Sequence, residues 1–313
     1  MGRIRDVLRH RGCLYSAACA ALLLLLFALV PPIPQPEAYH RFADRRTLIG
    51  GVPNTLNVVS NFPFLIIGVF GLVTALHGNR FGFTCGGEVA GWACFFLGVA
   101  ATAFGSAYYH LRPNDGRLVW DRLPMTVAFT SLVVLFVVER LSERGGTVAL
   151  LPALAAGIAS VAYWRLTDDL RPYLLVQFVP LLLLPALALL TPAKYSHSAA
   201  WLGAAACYAA AKLAEVGDGL VFRLSGAVVS GHTVKHLLAA AVPVYLLLML
   251  HRRALLAERV SELERWGWGP GRGREKAGEA TGQEGLFGDE EEGAAQESQG
   301  LLPRGSSSEP RVS

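Results

Sequence analysis

The stretch 106–125, which reads SAYYHLRPNDGRLVWDRLPM, joins two strongly apolar segments and sets the organisation of the chain. Ser106 and His110 are four residues apart, a spacing that stacks two side chains on one face of a helix. At a rise of about 1.5 Å per residue they lie about 6 Å apart along the axis, so both can point into one cavity. Asp121 opens the next apolar segment. Because an ionisable group is costly to place near lipid, Asp121 is a candidate functional residue.

The composition indicates a polytopic membrane protein. Of the 313 residues, 53% are hydrophobic and 17% are charged, and the mean hydropathy is +0.40. This leaves too little polar surface for a soluble globule. The net charge of +4 comes largely from arginines near the ends of apolar segments, as orientation in a bilayer requires, so we expect no nucleic-acid partner. The five cysteines form no CxxC pair, which argues against a disulfide framework and against zinc thiolates.

Seven apolar segments are long enough to cross a bilayer. They lie at about 56–76, 88–109, 120–138, 147–165, 172–190, 198–214 and 231–250. A further run, Leu14–Val30, follows four arginines, which is typical of either a signal peptide or a first spanning helix, and we favour a retained helix. We therefore predict an all-α fold in which residues 1–35 form the basic N-terminus and extra helix, and residues 36–253 form a seven-transmembrane-helix core.

Residues 254–313 are predicted to form a disordered tail, because most of this segment is rich in Gly, Glu and Ser. Arginines mark both ends of the membrane region as cytosolic, and eight spans are consistent with that. We expect a multi-pass protein of an endomembrane, the endoplasmic reticulum or Golgi, with its C-terminal tail in the cytosol. Alternation of the spans then places polar clusters at 54–64, 106–121 and 232–236 at one membrane depth, on the non-cytosolic face.

Three histidines of these clusters can surround one metal ion. His232 and His236 are four residues apart, so one helix supplies two imidazoles, and His110 supplies the third. Three protein ligands and an open position for water are typical of hydrolytic zinc sites, and a neutral imidazole adds no anion to bury. Asp121 is then the candidate general base and acid, and Ser106 the candidate donor to a developing oxyanion. The sequence predicts Zn²⁺ on the three histidines, with Ser106 and Asp121 as catalytic residues.

Two other polar clusters each allow two interpretations. The first opens the span 56–76 and consists of Asn54, Asn57, Ser60 and Asn61. These side chains either cap and bond neighbouring helices or contact the site directly. The second consists of Lys212, Glu215 and Asp218. It forms either an internal ion-pair set or, together with Asp44, part of a second cation site.

The order and spacing of the motifs resemble the alkaline ceramidase family. The motifs are SNFPF at 60–64, Ser106-x-x-x-His110, Asp121-x-x-Pro-Met and His232-x-x-x-His236. The family is part of a superfamily of seven-helix membrane hydrolases that also includes adiponectin-receptor-like proteins. The resemblance covers about residues 40–250. It implies zinc on the three histidines, catalytic roles for the serine and the aspartate, and a membrane lipid partner: the amide bond of a ceramide would be hydrolysed to a sphingoid base and a fatty acid.

Three positions depart from the family pattern. The acidic residue that the family carries six positions before the SN motif, as part of a calcium site, is Asn54 here, and the preceding loop offers only Glu37 and Asp44, so a Ca²⁺ requirement is doubtful. The Asp-Glu-Leu-Pro-Met motif has Arg122 at its second position, and Lys235 replaces the usual aromatic residue before the second histidine. The hydrolase class is therefore better supported than the ceramide substrate.

Two alternatives belong to other functional classes. A receptor or lipid-sensing protein of the same fold, with little turnover, would keep the same metal ligands. A transporter with an intramembrane cation pair would show inverted repeats and broken helices in matching halves, which the sequence lacks. Oligomeric state is not encoded in any of these motifs.

Overall fold

A computed structural model describes residue 25 and residues 28–267 of the chain. Within these residues the protein is helical, and the only β-type pairing is an isolated bridge between Tyr195 and Leu255. After a short 3₁₀ helix at Glu37–His40, the α-helices are α1 (Thr55–Val59), α2 (Phe62–Leu76), α3 (Gly86–Leu111), α4 (Asp115–Arg140), α5 (Glu143–Thr167), α6 (Arg171–Leu190), α7 (Ala200–Val216), α8 (Asp218–Leu224), α9 (Gly231–Arg252) and α10 (Glu262–Arg265).

Six candidate membrane spans occur among the described residues, which makes the chain a multi-pass membrane protein. They are Thr55–Leu76, which joins α1 and α2, and the helices α3, α4, α5, α6 and α9. The seventh predicted span, 198–214, corresponds to α7, which has 17 residues. At about 1.5 Å per residue such a helix is about 25 Å long, which is short of a hydrocarbon core of about 30 Å. A count of seven spans is therefore not confirmed.

Both predicted ends of the chain extend beyond the described residues. Most of the predicted N-terminal helix, Leu14–Val30, lies outside them, as does the tail after residue 267. Residues 254–267, which we assigned to the tail, pack against the connection between α6 and α7. The amide of Ala193 donates to the Val260 carbonyl at 3.0 Å, and Glu262 is buried.

Helices α3 and α4 form a tight hairpin whose turn is the 106–125 stretch. The Asn114 side chain caps α4 by accepting a hydrogen bond from the Arg117 amide at 3.0 Å. Near the turn, Gly105 of α3 lies so close to α4 that an added Cβ would overlap the Trp120 carbonyl. This close approach places Ser106 opposite the first turns of α4.

The core lies between these helices and α9. Its largest buried side chains are aromatic and aliphatic, and they include Trp92, Phe96, Phe136, Leu135 and Leu246. Helix α7 packs on α9, and α2 packs on α3. As a result, the C-terminal end of α3 and the N-terminal ends of α4 and α9 meet at the same end of the bundle.

The opposite end of the bundle contains a buried ionic network. Glu88 is fully buried near the start of α3, and its carboxylate accepts hydrogen bonds from Lys194 at 2.7 Å and from Tyr195 at 2.8 Å. Arg253, just after α9, pairs with Glu139 at the end of α4, at 2.7 Å. These pairs connect three helices and the α6–α7 connection, at the end of the bundle away from the histidines.

Candidate metal centre

The three predicted histidines converge at one end of the bundle. His110 lies in the last turn of α3, and His232 and His236 lie in the first two turns of α9. All three are buried. The ring centroids are 4.8 Å apart for His110 and His232, 4.9 Å for His110 and His236, and 4.9 Å for His232 and His236. Residues 126 positions apart in the sequence thus form one cluster.

The imidazole nitrogens have the properties expected of metal ligands. One nitrogen from each ring lies within 4.8 Å of the others, and this is the only such group of histidine, cysteine or carboxylate ligands among residues 28–267. Both nitrogens of His110 and Nε2 of His236 are buried without a hydrogen-bond partner. Bonds of about 2.1 Å in a tetrahedral zinc site place ligands about 3.4 Å apart, so small ring movements would close the cluster on an ion. The group could hold a metal ion.

The serine of the asparagine-rich cluster contacts the site directly. Ser60, at the end of α1, is hydrogen-bonded to Nδ1 of His236 at 2.7 Å, which leaves Nε2 of that ring as its free nitrogen. Such a bond fixes the orientation of a ligating imidazole. Asn54, with a left-handed backbone at φ 49°, donates to the backbone carbonyl of His110 at 2.8 Å. Direct contact with the site, one of the two interpretations of this cluster, therefore holds for Ser60.

Two residues from other elements complete the surroundings of the histidines. The Phe42 ring lies 4.7 Å from that of His110 and 4.6 Å from that of His232, so it covers the cluster on one side. Asp218, the first residue of α8, accepts a hydrogen bond from the His232 amide at 2.7 Å and another from the Ala43 amide at 2.8 Å. It thus holds the start of α9 against the N-terminal loop.

The two predicted catalytic residues lie beside this cluster. Ser106 and Asp121 are both buried, and their side chains are neighbours. Both line a cavity with an empty volume of about 860 Å³, part of which is open to the surroundings, and His236 is the one histidine of the three that also lines it. A molecule in this cavity can therefore contact the serine, the carboxylate and a histidine together.

The cavity wall combines a group of charged side chains with a larger, mostly apolar lining. Its polar lining includes Tyr39, Ser106, Asp121, Arg122, Lys212, Glu215, Lys235 and His236. Its apolar lining includes Phe64, Phe95, Val99, Met125, Leu132 and Val242. A second, nearly all-apolar cavity of about 460 Å³ shares Phe129, Leu132 and Val242 with the first. This shape suits an amphipathic molecule with one polar end and a long hydrocarbon chain.

The second polar cluster is an ion-pair set. Glu215 pairs with Lys212 and with Lys235, the latter at 3.1 Å. Asp44 instead binds Arg46 at 2.8 Å, and this bond lowers the pKa of the Asp44 carboxyl below its usual value. Because the carboxylates that a second cation site would need are paired with side-chain cations or backbone amides, the ion-pair interpretation is the one that the contacts support.

Sequence reasoning missed several residues of the site. Phe42 and Asp218 were not recognised as neighbours of the histidines, since they come from the N-terminal loop and from the start of α8. By contrast, Ser60 stands in the SNFPF motif, and the sequence indicated contact with the site as one interpretation of its cluster.

The fold and the site define a helical, multi-pass membrane protein with a buried three-histidine group beside an amphipathic cavity. Comparison of the chain with protein-family models gave no match, and comparison with curated proteins gave none.

Proposed function

We propose that the protein is a zinc-dependent membrane amidase, similar to the alkaline ceramidases, that hydrolyses the amide bond of ceramide-like lipids. The observation that carries the proposal is the convergence of three buried imidazoles, two of which have partnerless nitrogens, next to a buried serine and carboxylate on the wall of one amphipathic cavity. A soluble substrate would leave the larger, apolar part of that cavity unused, whereas an acyl chain fills it.

The histidines, the serine and the aspartate each have a separate role in the proposed reaction. His110, His232 and His236 would hold the ion, which when bound supplies Lewis-acid activation of water. Ser106 donates a hydrogen bond to the carbonyl oxygen of the amide as negative charge develops there. Asp121 accepts the proton that water loses on attacking the carbonyl carbon, and passes it to the amide nitrogen as the C–N bond breaks. The products are a free amine and a fatty acid, so atoms and protons balance.

Metal analysis combined with a lipid hydrolysis panel tests this function. Purified protein in detergent is expected to contain about one zinc per chain by elemental analysis, and to release sphingoid base from labelled ceramide. His110→Ala and His232→Ala should each lower the zinc content, the thermal stability and the release of base, because each removes one of three ligands. His251→Ala is the matched control, because this exposed histidine lies at the far end of α9 and stacks on Phe70.

The outcomes separate the candidate functions. Unchanged metal content in His110→Ala would contradict ligation by that residue. Bound metal with no release of base from any lipid, beyond the level of His232→Ala, would favour the receptor or lipid-sensing alternative. A protein that contains no zinc would contradict the proposal itself.

A further inference from the structure

The group of charged side chains on the cavity wall carries an excess of positive charge. It contains three cationic side chains, Arg122, Lys212 and Lys235, against two carboxylates, Asp121 and Glu215. All five are buried or largely buried. Charge that is removed from water requires compensation. One positive charge in this group has no partner among the side chains that line the cavity.

The unpartnered donor belongs to Arg122. Its guanidinium stacks on Trp164 at 4.1 Å and on Tyr173 at 4.5 Å, and its NH2 donates to the Gln35 side chain at 2.7 Å. Its NH1 is buried and has no hydrogen-bond partner. The side chain is 95% buried, it lines the cavity, and the stacking rings fix its position.

The two lysines line the same cavity as Arg122. Tyr39 lies between Arg122 and the lysine pair. The Arg122 guanidinium is 5.7 Å from the Tyr39 ring, and the Tyr39 hydroxyl donates a hydrogen bond to Glu215, the partner of both lysines, at 3.2 Å. Glu215 is shared between both lysines, so one carboxylate compensates two ammonium groups. Lys235 also lies 3.4 Å from Nε2 of His232, which places a cation next to the candidate metal centre.

We infer that Arg122 and Lys235 form an anion subsite, and that the amide lipid this protein takes carries an acidic group, a carboxylate or a phosphate, at its polar end. The inference rests on the proposed function and narrows its substrate class. Ser106 and Asp121 line the same cavity as these cations, so a lipid with its amide at the serine can place an acidic group near Arg122. A guanidinium group binds a carboxylate or a phosphate through paired N–H donors. In Arg122 the NH1 nitrogen is the donor without a partner.

Pairs of lipids that differ only in charge test the subsite. N-hexadecanoylglycine is compared with its methyl ester, and ceramide 1-phosphate with ceramide, by equilibrium binding of the labelled lipid in detergent and by amide hydrolysis. The wild-type protein is expected to bind each acid at least tenfold more tightly than its neutral partner, since hydrogen bonds to charged groups are among the strong ones. The two pairs also distinguish a carboxylate from a phosphate.

Variants assign the preference to the named side chains. Arg122→Gln and Lys235→Gln should each reduce the acid-to-neutral binding ratio about tenfold, while Arg122→Lys retains part of it. Arg117→Gln is the matched control: Arg117 lies on the same helix and also stacks on a tyrosine, Tyr108, at 4.2 Å, but it does not line the cavity. Because the readout is a ratio within one protein, a general loss of stability does not move it.

The results separate this inference from the proposed function. Tighter binding of the acids without hydrolysis of any lipid would support the subsite and contradict the amidase. Hydrolysis of the acids and neutral lipids at equal rates, with equal affinities and no effect of Arg122→Gln, would support the amidase and overturn the subsite.

Discussion

At the scale of single residues, spacing in the sequence predicted the three-histidine cluster but not which side chain orients its rings. The i, i+4 pair His232 and His236 and the separate His110 were predicted as one cluster, and their rings lie within 5 Å of one another. The hydrogen bond between Ser60 and His236 spans 176 positions. No local pattern specifies such a contact, because it depends on how α1 packs against α9.

Ser60→Ala tests the orienting role of this serine. Loss of the hydrogen bond to Nδ1 of His236 is expected to weaken zinc binding by about 10- to 100-fold, as other outer-shell changes do, with the fold retained. Zinc affinity is measured by competition with a chelator, alongside the melting temperature. Ser160→Ala is the control, because Ser160 is also buried but bonds only within α5, to the Gly157 carbonyl. Equal affinities in the two variants would show that Ser60 does not position the ligand.

At the scale of helices, hydropathy predicted most of the architecture. The segments 88–109, 120–138, 147–165 and 172–190 correspond to α3, α4, α5 and α6. The observed helices extend beyond the predicted bounds by up to five residues, at the start of α4. Apolar runs predict such helices because a lipid-embedded backbone must satisfy its own hydrogen bonds. The ends are less predictable, since caps such as Asn114 extend helices into polar sequence. The short α7 shows the limit of the method, because hydropathy does not measure whether a helix completes a crossing.

The contact between α3 and α4 depends on Gly105. Gly105→Ala is expected to destabilise the protein by about 3 kcal/mol, because the new methyl group overlaps the backbone carbonyl of Trp120 and overpacking is costly. The displacement would also separate Ser106 from Asp121 and lower hydrolysis. Gly86→Ala, in the first turn of α3, is the control, since nothing lies within 4 Å of its added Cβ. Melting temperature and lipid hydrolysis measure the two effects, and equal behaviour of the variants would contradict the close contact.

At the scale of the whole molecule, the two ends of the bundle are held by different chemistry. Buried imidazoles gather at one end, and the network of Glu88, Lys194, Glu139 and Arg253 closes the other. Sequence reasoning did not find this network, because its cations come from a connecting loop and from the end of α9, where basic residues were taken as markers of orientation. Only the tertiary fold brings them to the two glutamates.

The pH dependence of stability reports on this network through Tyr195, which lies outside the spanning helices. Burial, with a hydrogen bond to Glu88, raises the pKa of Tyr195 to about 12, whereas a tyrosine in an unfolded chain ionises near about 10. The stability that the neutral phenol provides is therefore complete below about pH 10 and is lost as the pH rises toward 12.

Tyr195→Phe should reduce the fall in melting temperature across that alkaline range, while lowering stability at neutral pH through loss of the hydrogen bond to Glu88. Thermal melts of the detergent-solubilised protein at a series of pH values measure both effects. Tyr108→Phe is the control, because Tyr108 is exposed at the surface of α3. A pH profile that is the same in Tyr195→Phe and in the wild type would contradict the assignment.

The same network has a consequence for biosynthesis. A ribosome completes Glu88 and Glu139 more than one hundred residues before Lys194 and Arg253, their respective partners. During that interval neither carboxylate can enter a dry interior without a large desolvation cost. Glu88 therefore stays hydrated until Lys194 has been translated, and Glu139 until Arg253 follows the last long helix, so assembly of this end finishes last. A nascent chain truncated before Arg253 would leave Glu139 without its cation and expose an unfinished bundle to quality control.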